Sequence, residues 1–296
     1  MNIDNFNQGK IRLKSINSQK IIYICKHIEK SYGGEVILAI KSIRKNLETL
    51  REIYSNNLTV GLIAEELSAC SPQDDALTIK FQMEKLDFDY YGVAIDGKII
   101  GYIIQSELDE GLISKYMHTF QMEDLVSEST SLLELLLILR ERHPVFILES
   151  NRINKLITVA DLQKQPIRML VFGLISILEM NLVQLIMDYY PNKQWKERLS
   201  ANRINEAMNL FHVRKEKNAG LGLIDCLQLS DKGMIVQKTP DLLGKLELHS
   251  RREAKQFFNR IEELRNNTAH SQEYVYNDFN DFLDIITRIE RVLSLI

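Results

Sequence analysis

Two short stretches of this 296-residue chain carry side chains with chemistry to offer. The first is Arg265-Asn266-Asn267-Thr268-Ala269-His270. A histidine titrates near neutral pH and can pass a proton, and an arginine holds a fixed cation suited to phosphoryl oxygens. On a regular helix, residues five apart diverge by roughly 140°, so Arg265 and His270 separate while Asn266 and His270 share a face. One such helix makes a poor site, but two copies facing across a two-fold axis double the motif in one cleft. The plainer alternative is a solvated cation against the negative end of a helix, followed by an ordinary last-turn histidine.

The second stretch is Leu156-Ile157-Thr158-Val159-Ala160-Asp161-Leu162. Thr158 stands where a strand gives way to a helix and can offer its hydroxyl and backbone amide to a ligand. Asp161, one turn later, only accepts hydrogen bonds when ionised, which suits a diol such as that of a ribose. Here too a local role competes: Thr158 caps the helix and Asp161 favours its positive end.

The bulk composition restricts what these groups can serve. A chain that is 45% hydrophobic and 26% charged is globular and long enough for two cores. A net charge of -3 draws neither nucleic acid nor anionic membrane as a whole, so any polyanion must be held by a local cluster. Arg251, Arg252, Lys255 and Arg260 form one such candidate. Cys25, Cys70 and Cys226 show no Cys-x-x-Cys spacing and the histidines are scattered, so no metal site is expected and the cysteines read as core residues. The polar start of the chain lacks a secretory segment, which points to the cytoplasm. The apolar run 169–187 is broken by Glu179, Asn181 and Gln184, and reads as a buried bundle helix rather than a membrane span.

Positioning elements follow from periodicity and turn residues. Over 19–30 and 35–54 apolar residues recur at helical spacing around Gly33-Gly34, predicting two amphipathic helices. An internal repeat comes next. Residues 75–86 read as a helix, 91–95 and 99–104 as strands, and Asp96-Gly97 as a two-residue hairpin turn. The same order returns as a helix over 132–142 behind a Ser131/Glu134 capping box, then strands over 145–148 and 153–158. Ile103, Glu107 and Leu108 fall on Ile157, Asp161 and Leu162 at one constant offset. Each copy is too small to bury its own sheet, so the two are expected to pack as one domain. After Pro166, helices are expected over 167–190, 201–213, 251–265 or beyond, and 280–295, with a loop region over 218–244.

The repeat resembles a CBS-domain pair, or Bateman module, over roughly 58–165, and Ile157-Thr158-x-x-Asp161-Leu162 resembles that family's ribose-binding motif. The resemblance implies an adenosine nucleotide (AMP, ADP, ATP or a relative) held by Thr158 and Asp161. Ile104 and Glu107 stand at the matching positions of the first copy, so its site departs from the pattern. The helical half resembles the HEPN superfamily, whose ribonucleases carry Arg followed by a polar residue and then His near the end of a penultimate helix. That resemblance implies a homodimeric endoribonuclease needing no cofactor for catalysis. Arg265, Asn266 and His270 would cleave RNA to 2′,3′-cyclic phosphate ends, in a stress response, as a toxin, or in antiviral defence. The expected fold class is α+β: N-terminal helices over 1–57, the duplicated CBS-like α/β module over 58–165, and an all-α HEPN-like bundle over 166–296. The competing expectation is a non-catalytic regulatory or dimerisation module.

Overall fold

The computed structural model describes residues 52, 57–216, 222–270 and 274–296. The chain divides into two units, Met1–Leu50 and Arg51–Ile296, and every described element belongs to the second. Apart from residue 52, the amphipathic helices expected over 19–30 and 35–54 lie outside the described residues.

Two copies of one α/β unit are present. The first comprises β2 (Ala69–Cys70), α1 (Ala76–Leu86), β3 (Tyr90–Ile95) and β4 (Lys98–Ile104), and the short strand β1 (Glu65–Glu66) precedes it. The second comprises β5 (Leu125–Ser127), α2 (Leu132–Glu141), β6 (Val145–Glu149) and β7 (Arg152–Ile157). Each helix is capped from its own sequence: Asp75 Oδ2 accepts from the Thr78 amide at 2.9 Å, and Ser131 Oγ from the Glu134 amide at 3.1 Å.

Both hairpins turn through two left-handed residues. Ile95 pairs with Lys98 around Asp96 (φ 50°) and Gly97 (φ 73°), and Glu149 pairs with Arg152 around Ser150 (φ 48°) and Asn151 (φ 62°). These are the turns whose twist matches a hairpin. The strand register also slips at the same place in both, at Val93/Ala94 and at Ile147/Leu148.

The short strands β2 and β5 lie parallel to β3 and β6, giving sheet orders β2-β3-β4 and β1-β7-β6-β5. At two or three residues they are too brief to show a period. The copies also exchange leading segments. Leu58 and Val60, ahead of the first copy, bond to Leu132 and Thr130 of the second, while Gly111 and Ile113, ahead of the second, bond to Ala76 and Asp74 of the first. Neither copy can therefore close its own backbone bonds alone. Phe146, fully buried, seals the joint against Tyr102 and Phe120 at 4.7 and 4.8 Å between ring centroids.

The chain then becomes helical: α3 (Gln165–Tyr189), α4 (Ala201–Glu216), α5 (Leu229–Gln237), α6 (Pro240–Lys245), α7 (Arg251–Ala269) and α8 (Phe279–Leu295). Pro166 sits in the first turn of α3, where its missing N–H costs nothing. By length and composition α3 is apolar enough to cross a membrane, yet it is the central helix of the bundle, packed by α5, α7 and α8. Glu179, which interrupts its apolar run, meets the buried Lys232 of α5 at 2.6 Å.

The expected loop over 218–244 is corrected: it holds α5 and α6. Glycine suggested a loop there, but Gly233 is a packing residue. A Cβ at Gly233 would stand 2.6 Å from Cγ of Phe258, so only glycine lets α5 approach α7 this closely. On α7, Phe257, Ile261, Leu264 and Thr268 are buried as their spacing predicts. On α8, Phe282, Ile286, Ile289 and Leu293 are buried, whereas Ile296 is exposed.

The bundle rests on the second copy through α2, which packs against α3 and α8. Arg140 of α2 reaches Asp284 of α8 at 3.5 Å. Cys70 and Cys226 are buried thiols, and burial with the nearby Asp74 carboxylate pushes Cys70 up to about 11.

Candidate functional site

β7 ends at Ile157, and a 3₁₀ turn, Val159–Gln163, carries the chain into α3. The turn is closed by its own side chains. Oδ2 of Asp161 accepts from the Thr158 amide at 2.7 Å and from the Thr158 hydroxyl at 3.2 Å. Oδ1 of Asp161 faces the Lys164 ammonium at 2.8 Å. Lys164 donates to the Ile63 carbonyl at 2.6 Å and pairs with Glu65 of β1. Burial pulls the Lys164 pKa down, but its bonds to Asp161 and Glu65 outweigh that and hold it above the ordinary lysine value.

Thr158 and Asp161 are thus brought together as expected, and Asp161 is 8% exposed. Lys164 is the residue that sequence reasoning missed. Besides Asp161, its partners Ile63 and Glu65 lie about a hundred positions away in the chain, where no local signal points to them. Any further donor to Oδ1 of Asp161 shares that oxygen with the Lys164 ammonium.

The matching position in the first copy is built differently. Ile104 has no hydroxyl to offer, and Glu107 reaches out to His118, Oε2 to Nε2, at 2.5 Å with both side chains nearly half exposed.

The second candidate lies at the far end of α7. Arg265 is half-buried, Asn266 and His270 are exposed, and Arg265 donates to Asn266 Oδ1 at 3.2 Å. The helix stops at Ala269, and His270 is its C-cap in extended conformation, φ -104° and ψ 107°. The wheel that aligned Asn266 with His270 thus reaches its last position at the cap, whose N–H still donates to the Asn266 carbonyl at 3.2 Å. The cap is held by a residue absent from the sequence reading. Arg168 of α3, 6% exposed, donates through Nη1 to the Asn267 carbonyl at 2.7 Å and to the His270 carbonyl at 3.1 Å. A cation against the last carbonyls of a helix satisfies acceptors that have no partner within it. A lone arginine at the head of a long apolar run was the available signal, since a buried charge requires partners.

The basic cluster is divided. Arg251, Arg252 and Lys255 are at the opposite end of α7 from His270, about 22 to 28 Å away at 1.5 Å per residue. Arg260 is engaged with Asp281, donating to its carbonyl and its carboxylate at 2.6 Å each.

No protein-family model matches the sequence, and no curated protein matches it. Among solved structures, it is similar to the CBS-pair protein CBSX2 from Arabidopsis thaliana, at 12% identity over 38% of this chain and 96% of that one, TM-score 0.33. The structure of CBSX2 in complex with AMP aligns at 13% identity over 38% of this chain and 98% of that one, TM-score 0.34. An uncharacterized conserved protein from Pyrococcus horikoshii aligns at 18% identity over 36% of this chain and 90% of that one, TM-score 0.33.

Proposed function

We propose that this chain is a metal-independent endoribonuclease of the HEPN type, governed by an adenosine nucleotide bound at Asp161 of a CBS-like pair. The observation that supports it most is a continuous path: the Thr158–Asp161 turn runs without a linker into α3, and α3 holds the end of α7 through Arg168.

In the proposed reaction the 2′-hydroxyl of RNA attacks the adjacent phosphorus and the bond to the 5′-oxygen breaks. His270 takes the hydroxyl proton and a proton is returned to the leaving oxygen, leaving 2′,3′-cyclic phosphate and 5′-hydroxyl ends. Arg265 faces the charge that gathers on the phosphoryl oxygens, and Asn266, already touching Arg265, orients it. DNA lacks the attacking hydroxyl and is not a substrate. A homodimer supplies two such motifs to one cleft, with one histidine as base and the other as acid.

The test is incubation of the purified full chain with total RNA in EDTA. The reading requires cyclic-phosphate products that disappear in His270→Ala, and calorimetric binding of AMP that weakens in Asp161→Ala. A preparation that neither cleaves RNA nor binds AMP overturns it.

A second reading, a regulatory module that binds a partner without cutting, has its own support. Met169, Phe172, Met180 and Met187 leave an apolar stripe along α3, each about half exposed. Such a stripe favours association. Inactivity of a stable, partner-bound protein toward RNA, with AMP binding retained, selects this reading.

A further inference from the structure

The turn after Asp161 and the chain after His270 are tied together by side chains to which neither the fold nor the proposed reaction has assigned a role. Gln163 spans them with both ends of its amide: Oε1 accepts from the Val275 amide at 2.8 Å, and Nε2 donates to the Tyr276 carbonyl at 3.4 Å. Tyr276 returns the contact, its hydroxyl donating to the Val159 carbonyl at 3.0 Å. The ring of Tyr276 is stacked on Phe282 of α8 at 4.5 Å and 16°, and Val275 is fully buried, so this strand of chain is seated rather than draped. Burial also pushes the Tyr276 phenol up to about 12, so it remains a donor throughout the physiological range.

Arg168 provides the other anchor. It stands five positions beyond Gln163 and grips the carbonyls of Asn267 and His270. There are thus two fastenings: Arg168 on the carbonyl of His270 itself, and the Gln163–Tyr276 exchange at Val275 and Tyr276. Both originate within seven residues of Asp161. Val159, which receives the Tyr276 hydroxyl, is the first residue of the turn that Asp161 closes.

We propose that Gln163, Arg168 and Tyr276 form a clasp that transmits the geometry of the Thr158–Asp161 turn to the backbone of His270. They are positioning residues, acting through His270 without touching RNA. If Asp161 changes partner, the turn it closes shifts the Val159 carbonyl and the Gln163 amide, and the far side of the clasp must follow or let go. The clasp as a mechanical link stands on these contacts alone. Its meaning as regulation of RNA cleavage rests on the proposed function.

Two discrete arrangements of a packed element couple sites by about 1 to 3 kcal/mol, or roughly 5- to 150-fold in an equilibrium. Hydrogen exchange of the full chain, read by mass spectrometry on peptides covering 264–276, measures this without any ligand. Asp161→Asn, which weakens the closure of the turn, is expected to speed exchange there at least about fivefold. In a Gln163→Ala/Tyr276→Phe background, where the ring stack is kept and the bonds are lost, the same change at Asp161 is expected to add less, since only Arg168 still joins the two sides. If Asp161→Asn speeds exchange at 158–163 but leaves 264–276 as in the parent, or has the same effect in both backgrounds, the clasp is overturned.

A conservative pair separates positioning from mere support. Arg168→Lys keeps a cation and is expected to retain part of the protection at 266–270 and the wild-type signature of the His270 ring in long-range nitrogen NMR. Arg168→Met is expected to lose both. Equal behaviour of the two overturns the role of Arg168. Calorimetry with AMP on the same proteins tests the nucleotide separately. No binding of AMP to the parent would remove the proposed ligand while leaving the exchange result to decide the clasp.

Discussion

In the second copy of the repeat, Asp161 is drawn inward, bonded to Thr158 and Lys164, and followed directly by the helix on which the bundle is built. In the first, Glu107 at the equivalent position is nearly half exposed and pairs with His118, and the chain beyond it runs on through short turns to the second copy. The hairpin turns and register slips match, so the difference does not come from the sheet. Glu107 turns its carboxylate to His118 instead, and isoleucine at 104 offers no hydroxyl where Thr158 stands in the second copy. A duplicated scaffold can thus keep one copy as a wired site and use the other as its structural counterpart.

The harshest test of that asymmetry lies at the far end of the wired copy. His270→Ala and Arg265→Ala are each expected to reduce RNA cleavage by about 10²- to 10⁴-fold, the range of a lost acid–base or charge-stabilising group. Circular dichroism should show the fold kept, because His270 is exposed and Arg265 only half-buried. Full activity in either variant removes the effector from the comparison.

A stability change comes next and tests whether the copies are one folding unit. Phe146 belongs to the second copy but packs on Tyr102 of the first, so Phe146→Ala is expected to cost about 3 to 5 kcal/mol. Urea unfolding should follow one transition when monitored on either copy. Two separated transitions would show that the exchanged segments do not bind the copies together.

Ligand affinity sharpens the contrast directly. Losing an acceptor of a charge-assisted hydrogen bond costs about 1.5 to 3 kcal/mol, so Asp161→Ala is expected to weaken AMP binding roughly ten- to a hundredfold in calorimetry. Glu107→Ala is expected to stay within about fivefold, since an exposed pair such as Glu107–His118 is worth at most about 1 kcal/mol. Equal losses in both would mean that the copies bind alike.

The smallest effect concerns Lys164, which occupies the outer oxygen of Asp161. Lys164→Met frees that oxygen and is expected to tighten AMP binding by up to about fivefold, the value of a partly exposed pair. Weaker binding would place Lys164 among the ligand's own contacts instead.

What was legible beforehand was local. Asp96-Gly97 requires left-handed backbone at both turn residues, and Ser131 with Glu134 starts a helix whatever packs on it. Apolar residues at steps of three and four on α7 and α8 carry their buried faces in the spacing itself. The misreading of 218–244 has the same origin seen from the other side. Glycine in a short window signals freedom, and only the approach of Phe258 shows that Gly233 is there to leave room. At the candidate sites, the contact between Thr158 and Asp161 was legible because three positions make one turn. That the helix ends at Ala269 with His270 as its cap was not, because a frayed end and a continued one use the same residues.

The chain order alone therefore determined the duplication, the hairpins, the caps and the helical second half, since each depends on bonds closed within a few residues. The tertiary structure decided which partner each charged group meets: Lys164 with Glu65, Arg168 with the carbonyls at His270, Gln163 with Val275 and Tyr276, and the leading segments with the opposite copies. These contacts join residues about 35 to more than a hundred positions apart. No periodicity spans such a distance, and a buried donor donates to whichever carbonyl the packing of apolar faces brings within reach.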